Sequence, residues 1–156
     1  MRTYKEIEEL IKKYDEGDDF TGGVSDEIIK DVEKQLNLNL PEQYKWFLSK
    51  YGYGGVVGIN IFGVGKTSDY PVVIETNRML KSPHFDKDWI AIESCDEYFY
   101  CLSTKDGKVR DWDFRGETYY EIDSFLDYLY TRIKDMANED DIIYIGQWHL
   151  KKYQKR

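Results

Sequence analysis

Between Asp88 and Phe114 the chain reads DWIAIESCDEYFYCLSTKDGKVRDWDF, and this stretch limits the fold more than any other. Three runs rich in β-branched and aromatic residues, at about 88–93, 98–103 and 108–113, are separated by Cys95-Asp96-Glu97 and by a segment ending in Asp106-Gly107. Such residues suit a pleated, half-buried surface, and Asp-Gly supplies the positive φ that a tight hairpin needs. Links this short leave three antiparallel strands in a meander.

The chain before this meander is patterned for helices. Thr3 and Glu6 have the spacing of a capping box, and Ile7, Leu10, Ile11 and Tyr14 recur at helical intervals, predicting a helix over 4–15. DEGDDFTGG then forms a loop. Ser25 caps a second helix over 26–37, where Asp26 and Glu27 complement the positive helix end and Ile28, Ile29, Val32 and Leu36 form the buried stripe. In NLPEQYKWFLSKYGYGG, residues 39–55, Pro41 suits the first helical position, Tyr44, Phe47, Leu48 and Tyr51 share one face, and Gly52 ends the helix.

VVGINIF predicts a first strand over 57–62, and VVIETNRML after Pro71 predicts a short helix over 72–80. YYEID adds a strand beyond the meander. Asp123 or Ser124 then caps a closing helix with Phe125, Leu126, Leu129 and Ile133 inward. The expected class is α+β: N-terminal helices, a central mostly antiparallel sheet and a C-terminal helix packed on it. A single domain spans 1–156, with a short basic tail at 151–156.

The net charge of −8 is uneven, since the tail holds four of the 22 basic residues and leaves −12 on residues 1–150. An acidic body repels nucleic acid phosphate and favours basic partners, so direct nucleic acid binding is not expected. No apolar run is long enough for a membrane span, and the two cysteines, Cys95 and Cys101, read as free thiols of a cytoplasmic protein.

Little in the sequence points to catalysis. NIFGVGKT, residues 60–67, places Gly65-Lys66-Thr67 as a phosphate-binding loop would, but Asn60 stands where the motif has its first glycine. Pro71 also interrupts the helix that such a loop requires. Asp111 and Asp113, two apart on a strand, share a face and with Glu117 could hold a cation or act as acid and base. The alternative is a solvated strand face whose charges discourage edge pairing. His84 and His149 lack a Cys or His at ligand spacing. No catalytic, cofactor-binding or metal residues are assigned.

A Ser25-started helix with Ile28 and Glu33, then Leu38-x-Leu40-Pro41-x-x-Tyr44-x-x-Phe47-Leu48, then a helix end at Gly52, resembles the SUKH superfamily with its Knr/Smi-like members. The strand pair and turn of WIAIESCDEYFYCLSTKDGKVRDWDF and the closing Ser124-Phe125-x-x-Tyr128-Leu129 are similar to that family as well, so the match spans about residues 20–135. More narrowly, the chain resembles YobK-like immunity proteins of Bacillus. It departs from the family at Lys50-Tyr51-Gly52-Tyr53-Gly54-Gly55, where Asn-Gly is common.

The resemblance implies a non-enzymatic immunity protein that binds and blocks a polymorphic toxin, commonly a nuclease, in the cytoplasm. It implies no catalytic residues and no cofactor. The contact residues come from the physics of the chain: an acidic, aromatic-bearing face to occlude a basic active-site region of the toxin. Asp96, Glu97 and Tyr98 at the turn, Asp111, Trp112 and Asp113 on the strand, and Glu117 with Tyr119 form the expected partner-binding set. Two other classes stay open: a regulatory scaffold of the cell-wall-regulator type, and a metal-dependent enzyme using Asp111, Asp113 and Glu117.

Overall fold

A computed structural model describes residues 1–65, 72–80, 85–113, 115–118 and 120–137. Three helices come first: α1 (Tyr4–Tyr14), α2 (Asp26–Leu36) and α3 (Glu42–Lys50). A fourth, α4 (Val72–Met79), precedes strands β1 (Trp89–Cys95), β2 (Tyr98–Ser103), β3 (Val109–Asp113) and β4 (Glu121–Ile122), and α5 (Phe125–Ala137) follows. The strands form one antiparallel sheet in the order β1-β2-β3-β4. The expected α+β class and the meander hold.

The caps act as the sequence predicts, with one difference. Thr3 and Glu6 close a reciprocal capping box on α1, and Ser25 accepts from the Ile28 N–H at the start of α2. Ser124 caps α5 by accepting from Asp127, and the Gln43 side chain of α3 accepts from the Leu126 N–H. Pro41, expected at the first helical position, is instead the N-cap of α3 (φ −58°, ψ 145°). Its carbonyl still receives the first helical bonds, from Tyr44 and Lys45.

The strand expected over 57–62 does not form. Val57 and Gly58 both have positive φ, 51° and 81°, and Ile59 N–H bonds to the Val56 carbonyl, closing a tight turn inside the expected strand. The apolar character of this segment serves burial without regular pairing: Val56, Ile59, Ile61, Phe62 and Val64 all lie in the core. Its backbone bonds are met by loops, except that the Phe62 N–H reaches the Ile92 carbonyl of β1 at 2.7 Å. Gly54 and Ile61 exchange bonds, Val64 N–H reaches the Gly52 carbonyl, and Gly22 N–H reaches Tyr51. These backbones touch because their glycines lack side chains; a Cβ on Gly63 would stand 1.8 Å from the Gly52 carbonyl oxygen.

The main core lies between the helices and one sheet face, where Ile90, Ile92, Tyr100, Leu102 and Val109 meet Phe125, Leu126, Tyr128, Leu129 and Ile133 of α5. Tyr44, Phe47 and Leu48 fill the space beside Phe125, and the Tyr44 hydroxyl donates to the Phe62 carbonyl at 2.6 Å. A smaller cluster of Ala91, Cys101 and Trp112 occupies the other face, covered in part by Leu80 and Phe85. The outer edge of β1 is closed by the Asn77 side chain of α4. Its amide exchanges two bonds with the backbone of Ala91, at 2.9 and 3.2 Å, as a neighbouring strand would.

A register shift between Ala91 and Glu93 marks a bulge in β1. Strict alternation would point Glu93 away from Ile90 and Ile92; the bulge turns it toward α5. There its carboxylate accepts from Arg132 Nε at 2.9 Å and Nη2 at 2.7 Å, and from the Tyr128 hydroxyl. Burial alone would lower the Arg132 pKa, but these bonds hold it above its ordinary value.

Two stability measurements follow. Arg132→Met strands a buried carboxylate and is expected to cost about 3–5 kcal/mol, whereas Glu93→Leu with Arg132→Met recovers most of that loss in urea unfolding. Val57→Asn relieves a β-branched residue in the left-handed region and creates Asn-Gly. A gain of about 1 kcal/mol is expected after the lost apolar contact is subtracted.

Candidate functional site

The register of the meander brings Asp96, Glu97, Tyr98, Asp113 and Glu117 to one end of the sheet. Tyr98 pairs with Cys95 on β1 and with Asp113 on β3, so the Asp96-Glu97 turn and the loop after Asp113 leave the sheet side by side. Asp96, Glu97 and Glu117 are exposed, and Tyr98 is half-buried beneath them. Asp96 takes a φ of 31°, a conformation that Asp tolerates better than most residues. Tyr119 lies outside the described residues.

The expectation of a solvated acidic strand face is corrected at three positions. Asp111, Trp112 and Asp113 are 3%, 1% and 5% exposed. The β3 alternation sends Trp112 to the far face, where its ring packs edge-on against Phe85 with centroids 5.1 Å apart. The two carboxylates point to the α5 face and hold backbone. Asp113 Oδ1 accepts from the N–H groups of Arg115 (2.9 Å) and Glu117 (3.2 Å), and Oδ2 accepts from the Arg115 guanidinium at 2.9 Å. Asp111 Oδ1 accepts from the Tyr120 N–H at 2.7 Å. Charged acceptors on backbone N–H groups make strong bonds, so these aspartates fix the course of the loop that displays Glu117.

The carboxylates of Asp111, Asp113 and Glu117 do not converge as a metal set. Among the described residues the group whose carboxylate oxygens approach within 4.8 Å of one another is Glu16, Asp18 and Asp19, in the loop after α1. Asp19 Oδ2 accepts from the Glu16 N–H there and Asp15 Oδ1 from Gly17, so the cluster organises its own turn. Lys66, Thr67, His84, His149 and the basic tail at 151–156 lie outside the described residues.

Both cysteines are free thiols on opposite faces of the sheet, Cys95 beside the main core and Cys101 in the small cluster. Burial pushes Cys95 up to about 12, helped by the Glu93 carboxylate and opposed by Arg132. Burial, with Asp111 nearby, raises Cys101 well beyond its ordinary range.

Sequence patterning does not single out Glu93, Tyr128 and Arg132 as a buried polar set. Arg132 stands seven positions after Phe125 on the inward stripe of α5, and a charge at an apolar-stripe position is the available signal. Arg115, exposed beside Glu117 and tied to Asp113, belongs to the same end of the sheet, although by sequence it is only a spacer between acids.

Helices lie on one face of a short antiparallel meander, and a turn and a loop stand at one end of the sheet. The model of the SUKH_5 family, described as SMI1-KNR4 cell-wall, matches residues 7–134, and the chain belongs to that family. The wider superfamily includes immunity proteins and is generally non-enzymatic. The fold is similar to a crystal structure of a protein from Pseudomonas syringae pv. tomato, with a TM-score of 0.62 and 21% identity over 80% of this chain and 93% of that one. No described helix is long and apolar enough to cross a membrane.

Two measurements check the roles of Asp113 and the thiols. Asp113→Ala should speed amide hydrogen exchange at 115 and 117 at least tenfold while leaving exchange in β2 near its original rate. Because both thiols stay protonated at neutral pH, neither should react with a disulfide reagent at pH 8 until denaturant opens the fold. As pH rises toward 12, the less buried Cys95 should react first.

Proposed function

We propose that the protein is an immunity protein that binds a cognate toxin, of the nuclease kind, and neutralises it by direct contact in the cytoplasm. The observation that carries this reading is the family match over residues 7–134, within a superfamily that includes immunity proteins. The exposed carboxylates Asp96, Glu97 and Glu117, on a chain of net charge −8, support placing the contact at that end of the sheet. A nuclease active site gathers cations to hold phosphate, and an acidic projection competes for the same charges. Opposite charge speeds the encounter, and an aromatic at the border, here Tyr98, supplies the apolar anchor. Asp111 and Asp113 act from beneath this surface by fixing the course of its loop, and Trp112 braces the strand between them from the far face. Tyr119 remains part of the proposed surface.

The family's cell-wall description favours a second reading, a scaffold of the cell-wall-regulator type that binds several cellular partners. Affinity capture separates the two: one dominant toxin supports immunity, and a reproducible set of regulators supports the scaffold.

Mixed with a toxin encoded beside it, the protein should form a stoichiometric complex and suppress the toxin's activity. Charge reversal at Asp96, Glu97 and Glu117 to Lys should weaken that complex at least tenfold, mainly through slower association, with the largest difference at low salt. An unchanged affinity in this triple variant would remove the site, and no complex with any neighbouring toxin would remove the immunity reading.

A further inference from the structure

A cavity of roughly 630 Å³ opens between the end of α2, α4 and the start of β1. Leu36, Leu38 and Ile90 line its inner side, and Phe85 and Trp89 form an aromatic wall, their rings nearly perpendicular with centroids 6.5 Å apart. Phe85 is braced from behind by Trp112 and Trp89 by the Arg110 guanidinium, 5.3 Å from its ring centre. The Asn77 amide is committed to the backbone of Val73 and Ala91, so it serves as wall rather than as a ligand group. A braced concavity of this size, with an aromatic wall and a few polar groups, is the usual form of a small-molecule site.

Two cations and one carboxylate line its mouth: Arg78, Lys87 and Asp86. Arg78 and Lys87, both lining the cavity and both exposed, have no carboxylate partner among the described residues. Arg78 is held instead by a neutral group. Its Nη2 donates to Gln35 Oε1 at 3.1 Å, and the Gln35 amide donates to Asp31, which steers the guanidinium without neutralising it. Asp86 Oδ1 accepts from the Asp88 N–H at 2.9 Å, which orients that carboxylate, and Asp88 is paired with Lys105. The two cations outnumber the one carboxylate in the lining, and a net positive rim beside an aromatic wall presents a complementary surface to a negative ligand.

We propose that this cavity binds a small amphipathic organic anion, with an aromatic or branched apolar body against Phe85, Trp89 and the leucines and one anionic head between Arg78 and Lys87. The site stands apart from the acidic sheet end and does not rest on the toxin-binding reading.

The test uses the full chain and two fluorescent probes of similar shape, anionic 1-anilinonaphthalene-8-sulfonate and uncharged N-phenyl-1-naphthylamine. The anion should bind saturably at one equivalent. Arg78→Glu with Lys87→Glu should weaken it at least tenfold while leaving the neutral probe within twofold, and Leu38→Trp, which fills the cavity, should abolish both. Thermal melting at the wild-type temperature qualifies each variant, and Leu80→Trp replaces Leu38→Trp where that variant melts early. The Asp96, Glu97 and Glu117 charge reversal should bind both probes as the wild type does, so toxin binding and probe binding fail separately. Absence of saturable binding, unchanged anion affinity in the Arg78/Lys87 variant, or binding that survives filling of the cavity would each overturn the proposal.

Discussion

One carboxylate sets the terms for the rest of the molecule. Glu93 is 3% exposed at the seam between the sheet and α5, where an unpartnered charge would be prohibitive. Arg132 meets it with a two-pronged bond and Tyr128 adds a hydroxyl, so the charge is tolerated only when α5 is docked in one register. The bulge before Glu93 is therefore inseparable from the helix it addresses, and Tyr98, Tyr100 and Cys95 gather around the pair.

Much of this architecture could be read from residue pattern. The capping box, the stripes of α1 and α2, the meander and the closing helix all follow from local spacing, and for these elements local preference and tertiary packing agree. The failures share a cause. Residues 57–62 have the composition of a strand, yet apart from the bond of Phe62 N–H to Ile92 of β1 their long-range backbone partners are loops, and the turn at Val57-Gly58 reflects those neighbours rather than local preference. Glu93 follows the same rule, because a bulge has no sequence signature in WIAIESC and alternation alone points the side chain the wrong way.

The acidic residues near the sheet end were legible as a group but not by role. Asp111, Asp113 and Glu117 have similar charge and spacing, and sequence cannot say which of them meets solvent. The structure divides them: two are buried acceptors for backbone N–H groups, and one is displayed by the loop they hold. Charge on the chain thus has an internal use, in building a loop, and an external one, in presenting it. The same division applies to the aromatics of NLPEQYKWFLSKYGYGG, where Tyr44 and Phe47 are interior and carry the family likeness rather than a contact surface.

The bond between Asn77 and Ala91 has a consequence for how the chain can go wrong. One amide, with the Phe62 N–H on the Ile92 carbonyl beside it, stands in for a neighbouring strand, so the long side of β1 offers little template to another chain while α4 is in place. The opposite margin, β4, is only two residues long and gives little purchase. Self-association by strand addition must then begin with release of α4, a short helix whose departure uncovers both the β1 backbone and the apolar lining of the neighbouring cavity. A compound that fills that cavity would hold α4 down, and would act as a folding aid whatever its natural purpose.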